Sequence, residues 1–155
     1  MRASELQSKK TVNLVECLLK VKYPVYHVDH QGNIAINTLL KDKSINEAAL
    51  VKVLEWHIKY CRFDLLRAPE SEDGTTHDSF FIAFVKSSLK SDKIIEIIKQ
   101  RLWELNFEEI NDLISQVNAL GVPLTEQIDL LISNLKKDMI KRRKAHALYL
   151  YHKLR

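Results

Sequence analysis

Apolar residues recur every three to four positions through most of this chain, and that spacing predicts a mainly helical protein. Val12, Val15, Leu18 and Leu19 mark a first amphipathic helix over residues 8–22, and Pro24 stops it, because the residue before a proline is pushed out of helical geometry. The period then changes. Val25-Tyr26-His27-Val28-Asp29 and Ile34-Ala35-Ile36 flank His30-Gln31-Gly32-Asn33, a β-branched pair of runs around a Gly-Asn turn signal. This predicts a small β-hairpin near residues 25–36, laid against helices because a two-stranded ribbon is marginal alone.

Ser44-Ile45-Asn46-Glu47 has the Ser-x-x-Glu form of a capping box. Leu50, Val53, Leu54, Ile58, Cys61 and Leu65 follow as one stripe, predicting a helix that runs to about Arg67. Residues 69–76, polar, acidic and bearing Pro69 and Gly74, read as a loop. Short helices are then expected in succession. Asp78 or Ser79 caps one carrying Phe80, Phe81, Phe84, Val85 and Leu89, and Ser91 or Asp92 caps one carrying Ile94, Ile95, Ile97, Ile98, Leu102 and Leu105. Asn106 opens a third with Ile110, Leu113, Ile114, Val117 and Leu120 inward. Gly121 stands where a left-handed residue ends that helix, and Pro123 follows. Thr125 starts the last helix, with Ile128, Leu131, Ile132, Leu135 and Met139 as its stripe.

A length of 155 residues suits a single helical domain over 1–155, and 46% apolar with 28% charged residues is the balance of a globular chain. Three glycines and three prolines are too few for the turns of an all-β fold. The expected architecture is a compact bundle of about six helices plus the hairpin, since short connections favour antiparallel neighbours. No apolar run approaches the ~20 residues that span a bilayer, so no integral membrane segment is expected. The opening MRASELQSKK lacks the apolar core of a secretory signal, and Cys17 and Cys61, both within apolar helical patterns, read as small buried thiols without a disulfide. The expected location is intracellular, in the cytoplasm.

Charge changes the picture most. Residues 136–155 hold eight of the 24 Lys and Arg but one of the 20 acids, a formal +7 against −3 for residues 1–135. Lys141, Arg142, Arg143 and Lys144 are consecutive, and four neighbours on a helix point in four directions, so this turn cannot be buried. The basic C-terminal helix, 136–155, is therefore a candidate contact surface for an anion. Lys136, Lys137, Lys141, Arg142, Arg143 and Lys144 suit phosphates, with Tyr149 and Tyr151 placed to stack on unpaired bases. The same charges also suit the negative end of the helix dipole alone, an anionic lipid surface or an acidic protein groove.

A protein partner or a second copy would meet Leu148, Leu150 and Leu154, where apolar residues surround the helix, or Phe80 and Phe81, which are adjacent and cannot share one helix face, so that one is expected to stand exposed. The remaining aromatics, Trp103 and Phe107 included, read as core.

Catalytic chemistry finds little footing. His27 and His30 lack a third and fourth ligand at recognisable spacing, so no metal is expected. Gly-x-Ser-x-Gly, His-Glu-x-x-His and phosphate-cradling glycine loops are absent from the sequence, so neither a catalytic residue nor a cofactor is expected. Residues 27–34, His27-Val28-Asp29-His30-Gln31-Gly32-Asn33-Ile34, resemble the first strand pair of a PAS sensor domain. The first half, with a helix, Tyr23-Pro24 and the later helix through Trp56 and Tyr60, is distantly similar to ProQ/FinO RNA chaperones but shows Asn33-Ile34-Ala35-Ile36 in place of that family's Pro-Leu-x-Ile-Gly-Ile. Neither fragment assigns a family. The expected function is a non-enzymatic protein whose basic helix contacts nucleic acid, RNA or a single strand preferred. The alternative is a helical adaptor or assembly subunit without nucleic-acid contact.

Overall fold

A computed structural model gives the fold and describes residues 10, 13, 14, 16–18, 20, 21, 24–28, 33–42, 45–69, 77–87 and 89–154. The protein is mainly helical, and no strand occurs among these residues. They belong to two compact units, Met1–Ser91 and Asp92–Arg155.

In the first unit, the described residues from 10 to 20 are helical and Glu16 pairs with Lys20 one turn on, at 3.0 Å, while Val12, Val15 and Leu19 of the expected stripe lie outside the described residues and Leu18 is exposed. The predicted hairpin is not present. The Pro24 carbonyl accepts from His27 N–H at 3.2 Å, closing a turn, and Ala35–Leu39 forms a short helix, α1. The intended turn residues 29–32 lie outside the described residues. The physical reason is that a short apolar run does not by itself distinguish strand from helix. Wound into a turn that starts at Ile34, the segment buries Ile34, Ile36 and Asn37 together. Its backbone is satisfied locally, with Asn37 and Thr38 N–H donating to the Ile34 carbonyl. A ribbon would have left both edges open.

Helix α2, Glu47–Cys61, buries Leu50, Val53 and Leu54 of the expected stripe together with His57, whereas Ile58 is exposed and Cys61 half-buried. Its ends differ from expectation. The cap is Asn46, whose side-chain oxygen accepts from Ala49 N–H at 2.8 Å, while Ser44 lies outside the described residues. The helix stops at Cys61 rather than near Arg67, because Arg62 turns left-handed at φ 49°. The N–H groups of Arg62 and Phe63 both aim at the His57 carbonyl. Tyr26 fixes the segment that follows. Its hydroxyl accepts from Asp64 N–H at 2.7 Å and donates to the Asp64 carbonyl at 3.1 Å, and its ring stacks on Phe63.

Helix α3, Phe80–Ser87, packs on α1, and Ser79 caps it by accepting from Ile82 N–H. The expectation that Phe80 or Phe81 stands exposed is corrected here, since both rings are 0% exposed. A helix whose two flanks are both covered has no solvent side at these positions. Each ring removes roughly 1.5–3 kcal/mol worth of apolar surface from water, so Phe80 and Phe81 are core and offer no contact surface. Asn37 supports the same corner by donating to the Asp78 carbonyl at 3.0 Å.

The second unit packs helix α4, Asp92–Leu102, and helix α5, Phe107–Ala119, against helix α6, Glu126–Leu154. Ile94, Ile98 and Leu102 of α4, Ile110, Leu113, Ile114 and Val117 of α5, and Ile128, Leu131, Ile132 and Leu135 of α6 form its core. Asn106 and Glu109 close a full capping box at the start of α5, each side chain answering the other's backbone N–H. Gly121 has φ +63°, the left-handed geometry that a side chain disfavours, and the chain then reaches Thr125, whose hydroxyl accepts from Ile128 N–H. No helix among the described residues is long and apolar enough to cross a membrane.

Candidate nucleic-acid interface

Helix α6 has 29 residues, about 43 Å at 1.5 Å per residue. Its burial ends early. Leu135 is the last buried residue, Asp138, Met139 and Arg142 are half-buried, and every residue from Arg143 to Leu154 is exposed. The cause is in the sequence, because cations on all sides of the 141–144 turn oppose continued packing of the Ile128–Leu135 stripe. Beyond that turn the stripe continues as His146 and Leu150, without a covering surface.

The four central cations divide into two kinds. Arg142 is tied down. Its Nε lies 2.8 Å from an Asp138 carboxylate oxygen, and its two terminal nitrogens donate to the carbonyls of Leu105, at 3.0 Å, and Trp103, at 3.4 Å. Those carbonyls lie in the turn just beyond the C-terminal end of α4, where helical partners have run out and a cation is favoured. The guanidinium also lies over the Trp103 ring, 5.6 Å from its centroid. Arg142 therefore joins α6 to α4 rather than standing free for a ligand. Lys141, Arg143 and Lys144 are exposed, as are Lys136 and Lys137, and among the described residues none of the five has a carboxylate partner.

A groove of about 290 Å³ runs beside the tether. Lys99 and Trp103 form one wall, and Leu131, Asn134, Leu135, Lys137, Asp138, Lys141 and Arg142 supply the rest. Four cations meet one carboxylate here, and that carboxylate is already engaged by Arg142. Trp103 keeps 58% of its surface exposed even with Arg142 over its ring.

The sequence placed Trp103 in the core, and this is corrected. The signal was available: Ile94, Ile98 and Leu102 define the inward line of α4, and Trp103 falls one step round the helix, a turn beyond Lys99. Its N–H still donates to the Lys99 carbonyl at 3.3 Å, so the two side chains rise from one flank.

Tyr149 and Tyr151 stand exposed on the last turns of α6, with the Lys153 ammonium over the Tyr149 ring at 5.8 Å and Tyr151 edge-on to His152. Leu148, Leu150 and Leu154 are exposed around them. The structure thus brings Lys137, Lys141 and Arg142 to the Trp103 groove, and spreads Arg143, Lys144 and the tyrosines along the uncovered end.

A second concavity, of about 700 Å³, lies in the first unit among Pro24, Val25, Tyr26, His27, Tyr60, Cys61 and Arg62. Burial raises the Tyr26 phenol above its ordinary range, which keeps the hydroxyl available to donate to Asp64. Among the described residues no three His, Cys, Asp or Glu side chains gather as metal ligands. Asp29, His30 and the acidic residues 70–73 lie outside the described residues. Asp78 is engaged by Lys86 at 2.8 Å.

Compared with family models, curated proteins and solved structures, the chain matches none.

Proposed function

We propose that the protein is a non-enzymatic binder of single-stranded nucleic acid, RNA preferred, which it holds along α6. One observation carries the reading: Lys137, Lys141, Arg143 and Lys144 occupy adjoining turns in solvent with no carboxylate partner among the described residues, beside exposed aromatic rings. Paired cations would only solubilise the helix, whereas unpaired ones release bound counterions when phosphates take their place. Exposed Tyr149 and Tyr151 add faces on which unpaired bases stack, and a duplex does not offer its bases in that way.

Anisotropy of a labelled single-stranded RNA, titrated with the full chain at several salt concentrations, tests this. Three to four phosphate contacts give a slope of about −2 to −3 in log affinity against log salt. Replacing Lys141, Arg143 and Lys144 together with Gln abolishes most of the binding. A wild-type protein that retains no RNA or DNA at low salt would defeat the proposal.

The adaptor reading keeps one specific support. Leu148, Leu150 and Leu154 are exposed on the last two turns, 60%, 42% and 87% respectively, with Leu150 and Leu154 on one face and Leu148 on the other. Light scattering on the full chain reports whether a second copy covers them, and a monomer at all concentrations counts against self-assembly.

A further inference from the structure

We infer that the groove between α4 and α6 is a base-stacking subsite, in which the exposed indole of Trp103 receives one unpaired nucleobase while Lys99, Lys137 and Lys141 hold the phosphates on either side. This rests on the proposed function and makes it specific, since it names the chemistry of one subsite and assigns it to residues outside the exposed end of α6.

Three features converge on it. The groove holds about 290 Å³, at the small end of the range for ligand pockets, which suits a single ring system and not a duplex. Its charge is cationic, because the one carboxylate on its wall, Asp138, is held by Arg142 at 2.8 Å. Its aromatic wall is fixed in advance. Arg142 lies over the indole and donates to the Trp103 carbonyl at 3.4 Å, so the side chain and backbone of Trp103 share one anchor. A ring held in this way loses little further freedom on binding, the condition under which a stacking contact contributes most.

Lys137 and Lys141 sit one turn apart, about 6 Å along α6, both at the groove, and Lys99 approaches from α4. An acidic peptide would satisfy the lysines but has no use for the exposed indole. Arg142 is a positioning residue in this scheme, and Trp103 is the group that touches the ligand.

The test uses the full chain with Trp56→Phe, which leaves Trp103 as the single indole of the protein's two. Four probes are titrated while Trp103 emission is followed: a short single-stranded RNA, the same strand with abasic positions, an RNA duplex of equal length, and polyglutamate. The single strand is expected to quench the emission saturably and to bind roughly 5- to 150-fold more tightly than the abasic strand, the worth of one base–aromatic stack. Trp103→Ala weakens the intact strand, leaving only the share of the advantage that Tyr149 and Tyr151 supply, and leaves abasic affinity unchanged, and Trp103→Phe restores most of the loss.

If single and abasic strands bind alike and Trp103→Ala changes neither, the subsite is overturned while nucleic-acid binding by α6 stands. If polyglutamate binds as tightly as the single strand, the ligand is an acidic protein and the inference fails. If no probe binds at low salt, the proposed function fails and the subsite with it.

Discussion

Replacing Arg142 with Met tests the division of the central cations into one tether and three free charges. Methionine keeps an apolar stem of similar course and removes the charged fork. Three contributions are then lost. The helical ion pair with Asp138, whose side chains are 29% and 25% exposed, contributes about 0.5 kcal/mol. The 3.0 Å bond to the Leu105 carbonyl is the better of the two backbone contacts, and a partly solvated, charge-assisted bond of that kind is worth about 1 kcal/mol. Stacking over Trp103 adds about 0.5 kcal/mol at such a site.

The expected loss is about 2 kcal/mol, roughly thirtyfold in the folding equilibrium of the second unit. Lys141→Met, Arg143→Met and Lys144→Met should each stay within about 0.5 kcal/mol of wild type, as surface substitutions without partners do. Urea unfolding followed by Trp103 emission, in the Trp56→Phe background, reads the second unit directly through the shift in midpoint at constant slope. If all four variants shift the midpoint equally, the contacts of Arg142 carry no special weight and the distinction is wrong.

Other perturbations probe the first unit and the helix ends. Phe81→Ala should cost about 3–5 kcal/mol as a large-to-small core change. Far-UV circular dichroism in urea checks it, and a stable variant that merely lost a partner would restore Phe81 as a contact residue. His57 is buried and its Nδ1–H donates to the Val53 carbonyl at 2.8 Å. Burial holds its pKa below the ordinary 6.5 despite that bond, so the unfolded chain takes up the proton first. Stability of the first unit should therefore fall as pH drops below about 6.5, and His57→Gln should flatten that part of the profile of unfolding midpoint against pH. Asn106→Ala removes the reciprocal cap of α5 and should lower stability by about 0.5–2 kcal/mol, with Asn106→Asp nearly neutral in the same urea assay.

The helices were legible where their stripes were long and their ends carried chemistry. Asn106, Gly121 and Thr125 act in the structure as their positions suggest, because caps are local and need no knowledge of neighbours. The failures came where neighbours decide. Ile34 and Ile36 fit a strand or a turn of helix equally well by spacing, and only the core of the first unit selects the helix. Phe80 and Phe81 look too crowded to bury together until both flanks of α3 are covered. Nothing about Arg62 announces the left-handed residue that ends α2.

The site was half visible. A run of four cations forecasts an uncovered turn whatever the fold, and Lys141, Arg143 and Lys144 stand exposed as that pattern requires. The tether of Arg142 was hidden because it joins residues 37 and 39 positions apart. Trp103, by contrast, was legible from its position off the inward line of Ile94, Ile98 and Leu102.

The most direct measurement is the salt dependence of single-stranded RNA affinity for the wild-type chain beside the Lys141→Gln, Arg143→Gln, Lys144→Gln variant. Free cations on α6 predict a wild-type slope of about −2 to −3 that shrinks by about 2 units in the variant. Equal slopes for the two proteins would contradict the account, because the phosphates would then be meeting charges elsewhere.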